Sequence, residues 1–383
     1  MSLSSSREKV QALLNPKNVV IVGASDKPGN WTQRVWRNLN RYKFPLPIFP
    51  LNPGRDSVWD TRCYKSYAEM PEPPDHLVVL IPAAFVPDTL REAAKAGARS
   101  ATIMSSGFDE ADDAKAKALG ARLKAVIAET GMAVSGPNCL GNFNAHVDFV
   151  TLPDDRPQRI VPGPVAIFGQ SGGLVMAIKR TLEERGIDTG YVVTSGNETG
   201  LNGADYIDYF AADPNTKVIV SYLESVRDPD AFLAACRRAR DAGKPVVVAK
   251  LGASDEGRAA AMAHTGALAG NHAVMRTMLT NAGAIVVDTL DELIDVAELV
   301  ARAWPEERSD GKELELALEQ VLPKLKGGFS FVLMDDSHLI GARDPHGFWP
   351  LVLGRLDGGG WVDRKSTRLN SSHSQQSRMP SSA

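Results

Sequence analysis

Asn18-Val-Val-Ile-Val-Gly-Ala-Ser25 decides how the chain folds. Four β-branched residues make a run too short for a helix. They end in three small residues, and an apolar-periodic segment follows from about Trp31 to Tyr42. That order reads as a buried strand, a tight turn and an amphipathic helix. Working outward, the same unit recurs. Leu46–Leu51, His76–Ile81, Ser100–Met104 and Ala133–Ser135 read as strands, with helices at about Phe85–Ala96 and Ala111–Thr130. The Pro- and Asp-containing stretch Leu152–Pro164 reads as a linker. The rhythm restarts with the strand Pro164-Val-Ala-Ile-Phe168, the turn Gly169-Gln-Ser-Gly-Gly173 and a helix from Leu174 to Arg185. Strands at Tyr191–Thr194, Val218–Tyr222, Pro245–Lys250 and Ala284–Val287 alternate with helices at Gly203–Ala212, Pro229–Ala242, Ala273–Ala282 and Leu290–Ala303. Apolar strands alternating with amphipathic helices predict an α/β class with parallel sheets covered on both faces. The expected domains are 1–150 and 160–305. Beyond them, 313–362 reads as a short antiparallel β fragment. Residues 363–383 hold many serines, no periodicity and no acid after Asp363, and are expected to be disordered.

The 383 residues carry 43 Lys and Arg against 46 Asp and Glu, a net charge of −3. That balance argues against a nucleic-acid binder, which needs a basic excess. No apolar run approaches the length of a membrane span, and no leader pattern opens the chain, so no membrane partner is expected. Cys63, Cys139 and Cys236 are odd in number and far apart, forming neither a disulfide framework nor a zinc cluster. A cytoplasmic location without a metal site is the expectation.

Four motifs carry candidate chemistry. Gly23, Ala24 and Ser25 at a strand end would let backbone amides approach a phosphate, although any tight βα turn needs small residues. The full G-x-G-x-x-G spacing is absent, which disfavours a plain dinucleotide fold. Gly169, Ser171 and Gly173 fit the nucleophile-elbow pattern of a serine hydrolase, with Asp255 and His264 as assignable partners. They fit equally an anion cradle made by Ser171, Gly172 and Gly173 at a helix N-terminus. His264 sits in Ala263-His-Thr-Gly-Ala-Leu-Ala-Gly270, where small neighbours leave room for a bulky group on the imidazole. A lone histidine is nonetheless more often structural. Glu224, at a strand's C-terminal end, could hold one imidazole nitrogen and leave the other nucleophilic, or simply cap a helix.

Taken together these residues resemble the NDP-forming acyl-CoA synthetases, the group of ADP-forming acetate–CoA ligases related to succinyl-CoA synthetase. The resemblance runs in order over about residues 10–303. It adds Leu80-Ile-Pro82, Ser105-Ser-Gly-Phe-Asp-Glu110, Gly136-Pro-Asn-Cys-Leu-Gly141, Ser195-Gly-Asn-Glu198 and Asp213–Glu224 to the motifs above. It implies a Rossmann-like CoA-binding domain followed by a flavodoxin-like domain. It also implies acyl-CoA formation from a small carboxylic acid, coenzyme A and ATP through an acyl phosphate. On the same basis His264 carries the phosphoryl group, Glu224 orients it, and Ser171, Gly172 and Gly173 bind the phosphate. Gly23, Ala24, Ser25, Asn52, Pro82, Ser106, Gly107, Pro137 and Asn138 match the CoA-facing side. Gly200 stands where the family often has Asp, and Thr32 where a second small residue is usual. ATP, ADP and Mg would bind through an ATP-grasp domain or subunit, which the resemblance does not find after residue 305. A chain lacking it is expected to be inactive alone, or to act as a non-catalytic CoA-binding module.

Residues 313–362 resemble a different family, an internal piece of the glutaminase domain of glutamine phosphoribosyldiphosphate amidotransferase. Arg343 falls at that family's glutamine-binding arginine, and Trp349 stands where an arginine is usual. Arg364–Ala383 resembles translated sequencing-adapter sequence. These breaks predict a chimeric open reading frame.

Overall fold

A computed structural model describes residues 3–110, 113–251, 272–303, 318–319, 321–325, 327–334, 339–347, 351–355 and 361–364. Residues 1–301 form one compact unit, and 302–383 a second.

In the first unit, α1 (Ser6–Leu14) precedes β1 (Val19–Val22), α2 (Trp31–Arg41) and β2 (Ile48–Leu51). A two-stranded excursion, β3 (Ser57–Val58) and β4 (Thr61–Arg62), leads to β5 (His76–Val79), α3 (Val86–Ala96), β6 (Ser100–Ile103), α4 (Ala114–Thr130) and β7 (Ala133–Ser135). The first sheet has the order β2-β1-β5-β6-β7, all parallel. Its strands are buried on both faces. Val20, Val22, Leu77 and Val79 pack toward Leu90, Leu123 and Val126 of α3 and α4. Val19, Ile21 and Val78 pack toward Val35 and Leu39 of α2. Period-2 alternation on doubly covered strands therefore produces the unbroken apolar run that opens the sequence.

The second sheet is built from β8 (Asn142–Asn144), β9 (Phe149–Val150), β10 (Val165–Gly169), β11 (Thr189–Thr194), β12 (Val218–Leu223), β13 (Val246–Lys250) and β14 (Ile285–Val287). Its order is β14-β13-β12-β10-β11-β8-β9. One face carries α5 (Gly172–Glu184) and α9 (Leu290–Ala303). The other carries α6 (Gly203–Ala212), α7 (Pro229–Asp241), α8 (His272–Asn281) and also α1. The expectation of two all-parallel sheets needs correcting here. β8 runs antiparallel to β11, and β9 antiparallel to β8, so the second sheet is mixed. The boundary read at residue 150 leaves β8 and β9 with the first domain, while their hydrogen bonds run to the second sheet.

In the second unit, β15 (Ser330–Met334) pairs antiparallel with β16 (Leu339–Arg343), and β17 (Val352–Arg355) with β18 (Trp361–Arg364). Antiparallel pairing was the expectation for this region. Arg343 ends β16 and is exposed. Trp349 and residues 365–383 lie outside the described residues. No helix among the described residues is long and apolar enough to cross a membrane.

Candidate functional site

Open α/β sheets gather functional groups beyond the carboxyl ends of their strands, at the point where strand order reverses. The first sheet reverses between β1 and β5. Along that edge the loops place Asn52 after β2, Gly23–Ser25 after β1, Pro82 after β5, Ser106 and Gly107 after β6, and Pro137 and Asn138 after β7. All nine CoA-facing candidates thus share one edge. They are tied to each other: the Asn52 side-chain amide donates to the Ala24 carbonyl at 2.9 Å. The Ser105 hydroxyl donates to the Ile81 carbonyl at 2.6 Å, and the Asn138 amide to the Ser105 carbonyl at 3.0 Å.

One part of the first-turn reading is overturned. The amides of Gly23 and Ala24 both donate to the Leu51 carbonyl, at 2.9 and 3.3 Å. The Ser25 amide donates to Thr32 Oγ1 at 3.1 Å. These three donors are spent inside the protein and do not form a phosphate nest. The small residues serve close approach instead. Gly23 has φ +86°, and a Cβ there would lie 2.3 Å from the Leu80 carbonyl oxygen. Thr32, the departure from the resemblance, is the residue that holds this loop.

The second sheet reverses between β10 and β12, and here Gln170 is the hub. Its Oε1 accepts from the amides of Glu224 and Ser225, both at 2.9 Å. Its Nε2 donates to Glu198 Oε2 and the Ser225 carbonyl, both at 3.0 Å. One buried side chain therefore links the ends of β10, β11 and β12, and fixes where Glu224 stands. Glu224 is itself buried, and the Lys250 ammonium donates to its carbonyl at 2.7 Å. Burial pulls that ammonium below its ordinary value, while the Glu224 charge pushes it back.

Glu198 also accepts from the Ser195 hydroxyl at 2.8 Å. Burial pushes its carboxyl up to about 7, against those two hydrogen bonds and the Arg227 charge. A folded value above the unfolded one of about 4.5 stabilises the fold fully below pH 4.5, and that contribution is lost as pH rises through 7. We expect Glu198→Gln to flatten the stability profile between pH 4.5 and 7 by about 3 kcal/mol relative to wild type. Urea melts of both proteins at the two ends of that window measure it; parallel profiles would refute it.

Ser171 precedes α5 with φ −83° and ψ 107°, and its side chain caps nothing. This is ordinary extended backbone, not the strained turn of a nucleophile elbow, so the hydrolase reading loses its geometric basis. The first-turn amides of a helix have no partner within it, and a Cβ at Gly173 would meet nothing within 4 Å. The start of α5 is thus open on the Gly173 side. On the Gly172 side it is closed: a Cβ there would lie 2.4 Å from Leu140 Cγ. Leu140 belongs to the loop after β7, so the strand-end edge of the first sheet and the α5 N-terminus touch. The same loop is stitched to the one after β11. The Asn197 amide donates to the Pro137 carbonyl at 2.9 Å, and the Leu140 amide to Thr194 Oγ1 at 2.8 Å.

Cys139, in that loop, is no nucleophile: burial pushes its thiol up to about 12. His76 is a core histidine, bonded to the hydroxyls of Ser100 and Thr102 and pulled down to about 4 by burial. His264, with Ala263–Gly270 and Asp255, lies outside the described residues. Sequence reasoning quoted Gln170 and Glu198 inside motifs without giving either a role. The signal available was their place at strand ends, one residue before Ser171 and three after Ser195.

Two families match the chain, one described as a CoA binding domain over residues 17–145 and one as a succinyl-CoA ligase like flavodoxin domain over 162–300. A trans-feruloyl-CoA synthase from an unknown prokaryotic organism is 40% identical over 301 residues, covering 78% of this chain and 42% of that protein. An ADP-forming succinate–CoA ligase subunit alpha 2 from Archaeoglobus fulgidus is 32% identical over 237 residues, covering 58% of this chain and 75% of that one. Among solved structures, a dinucleotide-forming acetyl-coenzyme A synthetase 1 from Ca. Korarchaeum cryptofilum, in complex with phosphate and ADP, superposes with a TM-score of 0.72. It is 29% identical, with 78% of this chain and 64% of that one covered. The chain therefore spans about two fifths of the feruloyl-CoA synthase it matches.

Proposed function

Because the chain belongs to the NDP-forming acid–CoA ligase family, we propose that it contributes the CoA-binding and phosphoryl-carrying portion of an acid–CoA ligase. The observation that carries this reading is the contact of the two strand-end edges through Leu140. It joins the loop after β7, which carries the CoA-facing candidates Pro137 and Asn138, to the N-terminus of α5.

The chemistry runs in three balanced steps. A neutral imidazole nitrogen of His264 attacks the γ-phosphorus of ATP, and ADP leaves. The acid's carboxylate oxygen then attacks phosphorus, giving an acyl phosphate and freeing the imidazole. The CoA thiolate attacks the acyl carbon, and phosphate leaves. The site residues would supply positioning and charge stabilisation. The α5 amides at Gly172 and Gly173, with the positive end of the helix dipole, stabilise phosphoryl oxygens. Glu224, whose backbone amide donates to Gln170, would accept from the far nitrogen of His264 and keep the attacking one unprotonated. ATP and Mg would enter through an ATP-grasp domain or partner subunit.

Reconstitution tests the proposal. With a cognate ATP-grasp partner, a carboxylic acid, CoA and ATP, acyl-CoA should appear with equal amounts of ADP. Tight CoA binding by calorimetry without any turnover would leave only a CoA-binding module. No CoA binding would refute the proposal altogether.

A further inference from the structure

The loop after β11, residues 195–201, belongs to the second sheet but runs along β7 and its loop in the first. The amides of Asn197, Thr199 and Leu201 donate to the carbonyls of Pro137, Gly136 and Val134, at 2.9, 3.1 and 2.8 Å. The seam is tight: Gly196 has φ +57°, and a Cβ there would lie 2.2 Å from the Pro137 carbonyl oxygen. Asn197 stands in this seam, 4% exposed. Its Nδ2 donates to Glu110 Oε2, and its Oδ1 accepts from Asn138 Nδ2 at 3.4 Å. A carboxylate only accepts, which decides how this side-chain amide is turned. The Asn197 carbonyl accepts from Arg227 Nη2, in the loop after β12, at 2.8 Å. Glu110 in turn gathers the loop after β6, where its oxygens accept from the amides of Gly107 and Phe108 at 2.5 and 3.2 Å. The next residue, Glu198, accepts from Gln170 at 3.0 Å on the phosphoryl side.

We infer that Asn197 is a positioning residue for CoA, acting from the second sheet through Glu110 and Asn138 on the loops that would hold the thiol end. This rests on the ligase reading above. The thiol has to meet an acyl group made beside α5, and the loop after β7 is the one that touches α5. The thiol end therefore belongs at the loops after β6 and β7, and the nucleotide end toward β1 and β2. The first sheet does not finish this crevice by itself. Its last two loops are held by one side chain from the 195–201 loop, and a buried polar network left half satisfied is costly.

Calorimetry of the full chain with CoA and with adenosine 3′,5′-bisphosphate, which lacks the pantetheine arm, tests this. Asn197→Asp sets carboxylate against carboxylate. It is expected to weaken CoA about tenfold and leave the bisphosphate unchanged. Glu110→Gln, the milder change, sets donor against donor and should give the same split. The two changes together restore one donor facing one acceptor and the original charge of the pair. The double variant should then bind CoA within about threefold of wild type, a rescue that a general loss of structure would not show. Where the bisphosphate binds wild type too weakly to follow, the cycle with CoA alone decides. Single variants that bind CoA as wild type does, that lose both ligands alike, or that are not rescued in the double variant overturn the role of Asn197 while the ligase reading stands. If wild type binds no CoA, the ligase reading fails and this inference with it.

Discussion

Replacing His264 by alanine is expected to cut transfer of label from γ-labelled ATP onto the chain by roughly a thousandfold or more, in the presence of an ATP-grasp partner. The expectation combines two things. In the sequence, small residues flank His264 within Ala263–Gly270, and Glu224 is a buried residue whose backbone amide donates to Gln170 Oε1 at 2.9 Å. A phosphohistidine needs a partner for its second nitrogen and donors for its phosphoryl oxygens, and α5 begins with amides unpaired within the helix. Acid-labile label retained by His264→Ala would place the phosphoryl group on another residue. CoA titration of the same variant checks that it is folded.

Gly23→Val should be the most damaging single change on the CoA-facing edge. The residue has φ +86°, which a β-branched side chain all but never adopts. Its Cβ would meet the Leu80 carbonyl oxygen at 2.3 Å and Ile81 Cγ2 at 2.8 Å. The first contact is backbone in the neighbouring strand's end, so nothing yields by a simple rotamer change. Backbone strain and overpacking together cost about 4 kcal/mol, which lowers the melting temperature by roughly 5 °C in a protein of this size. Relief would have to come from prising β1 away from β5, at the crevice where CoA would lie. Thermal melts and calorimetry with CoA measure both effects. A variant that melts and binds as wild type would contradict the close approach.

Much of this architecture was legible in the sequence. α6 and α9 have the bounds that their apolar periodicity predicts, Gly203–Ala212 and Leu290–Ala303. The nine residues proposed to face CoA share one edge because each follows a strand of the same parallel sheet, and chain order alone implies that. What stayed hidden depended on partners far away in sequence. β8 is Asn142-Phe-Asn144, three residues too few for their alternation to signal a strand. It is a strand because Asn142 donates to Thr102 Oγ1 at 2.8 Å and Asn144 to the Leu14 carbonyl at 3.0 Å. α1 hid in a serine-rich opening, although Ser5 and Glu8 form a capping box directly before the apolar face. Gln170 could not be recognised as a hub, since its partners come from two other strand ends, 28 to 55 residues further along the chain. The amides after Gly23 look available in the sequence and are not, because Leu51 and Thr32 take them.

The seat of α1 bears on how the chain comes to be made. Val10, Leu13 and Leu14 are buried in the core that Tyr206, Ile207 and Phe210 of α6 help to form, and Arg7 pairs with Asp208, 201 residues further on. At about 5–20 residues per second, α1 leaves the ribosome roughly 10–40 seconds before its seat exists. Throughout that interval α1 can meet only the first sheet, where the Ser100 hydroxyl donates to the Ala12 carbonyl at 2.9 Å. The first sheet can form behind it, but α1 is fully docked only once α6 has been made. Docking of α1 is therefore a late step set by the route of the chain, and deleting α1 would open the finished core.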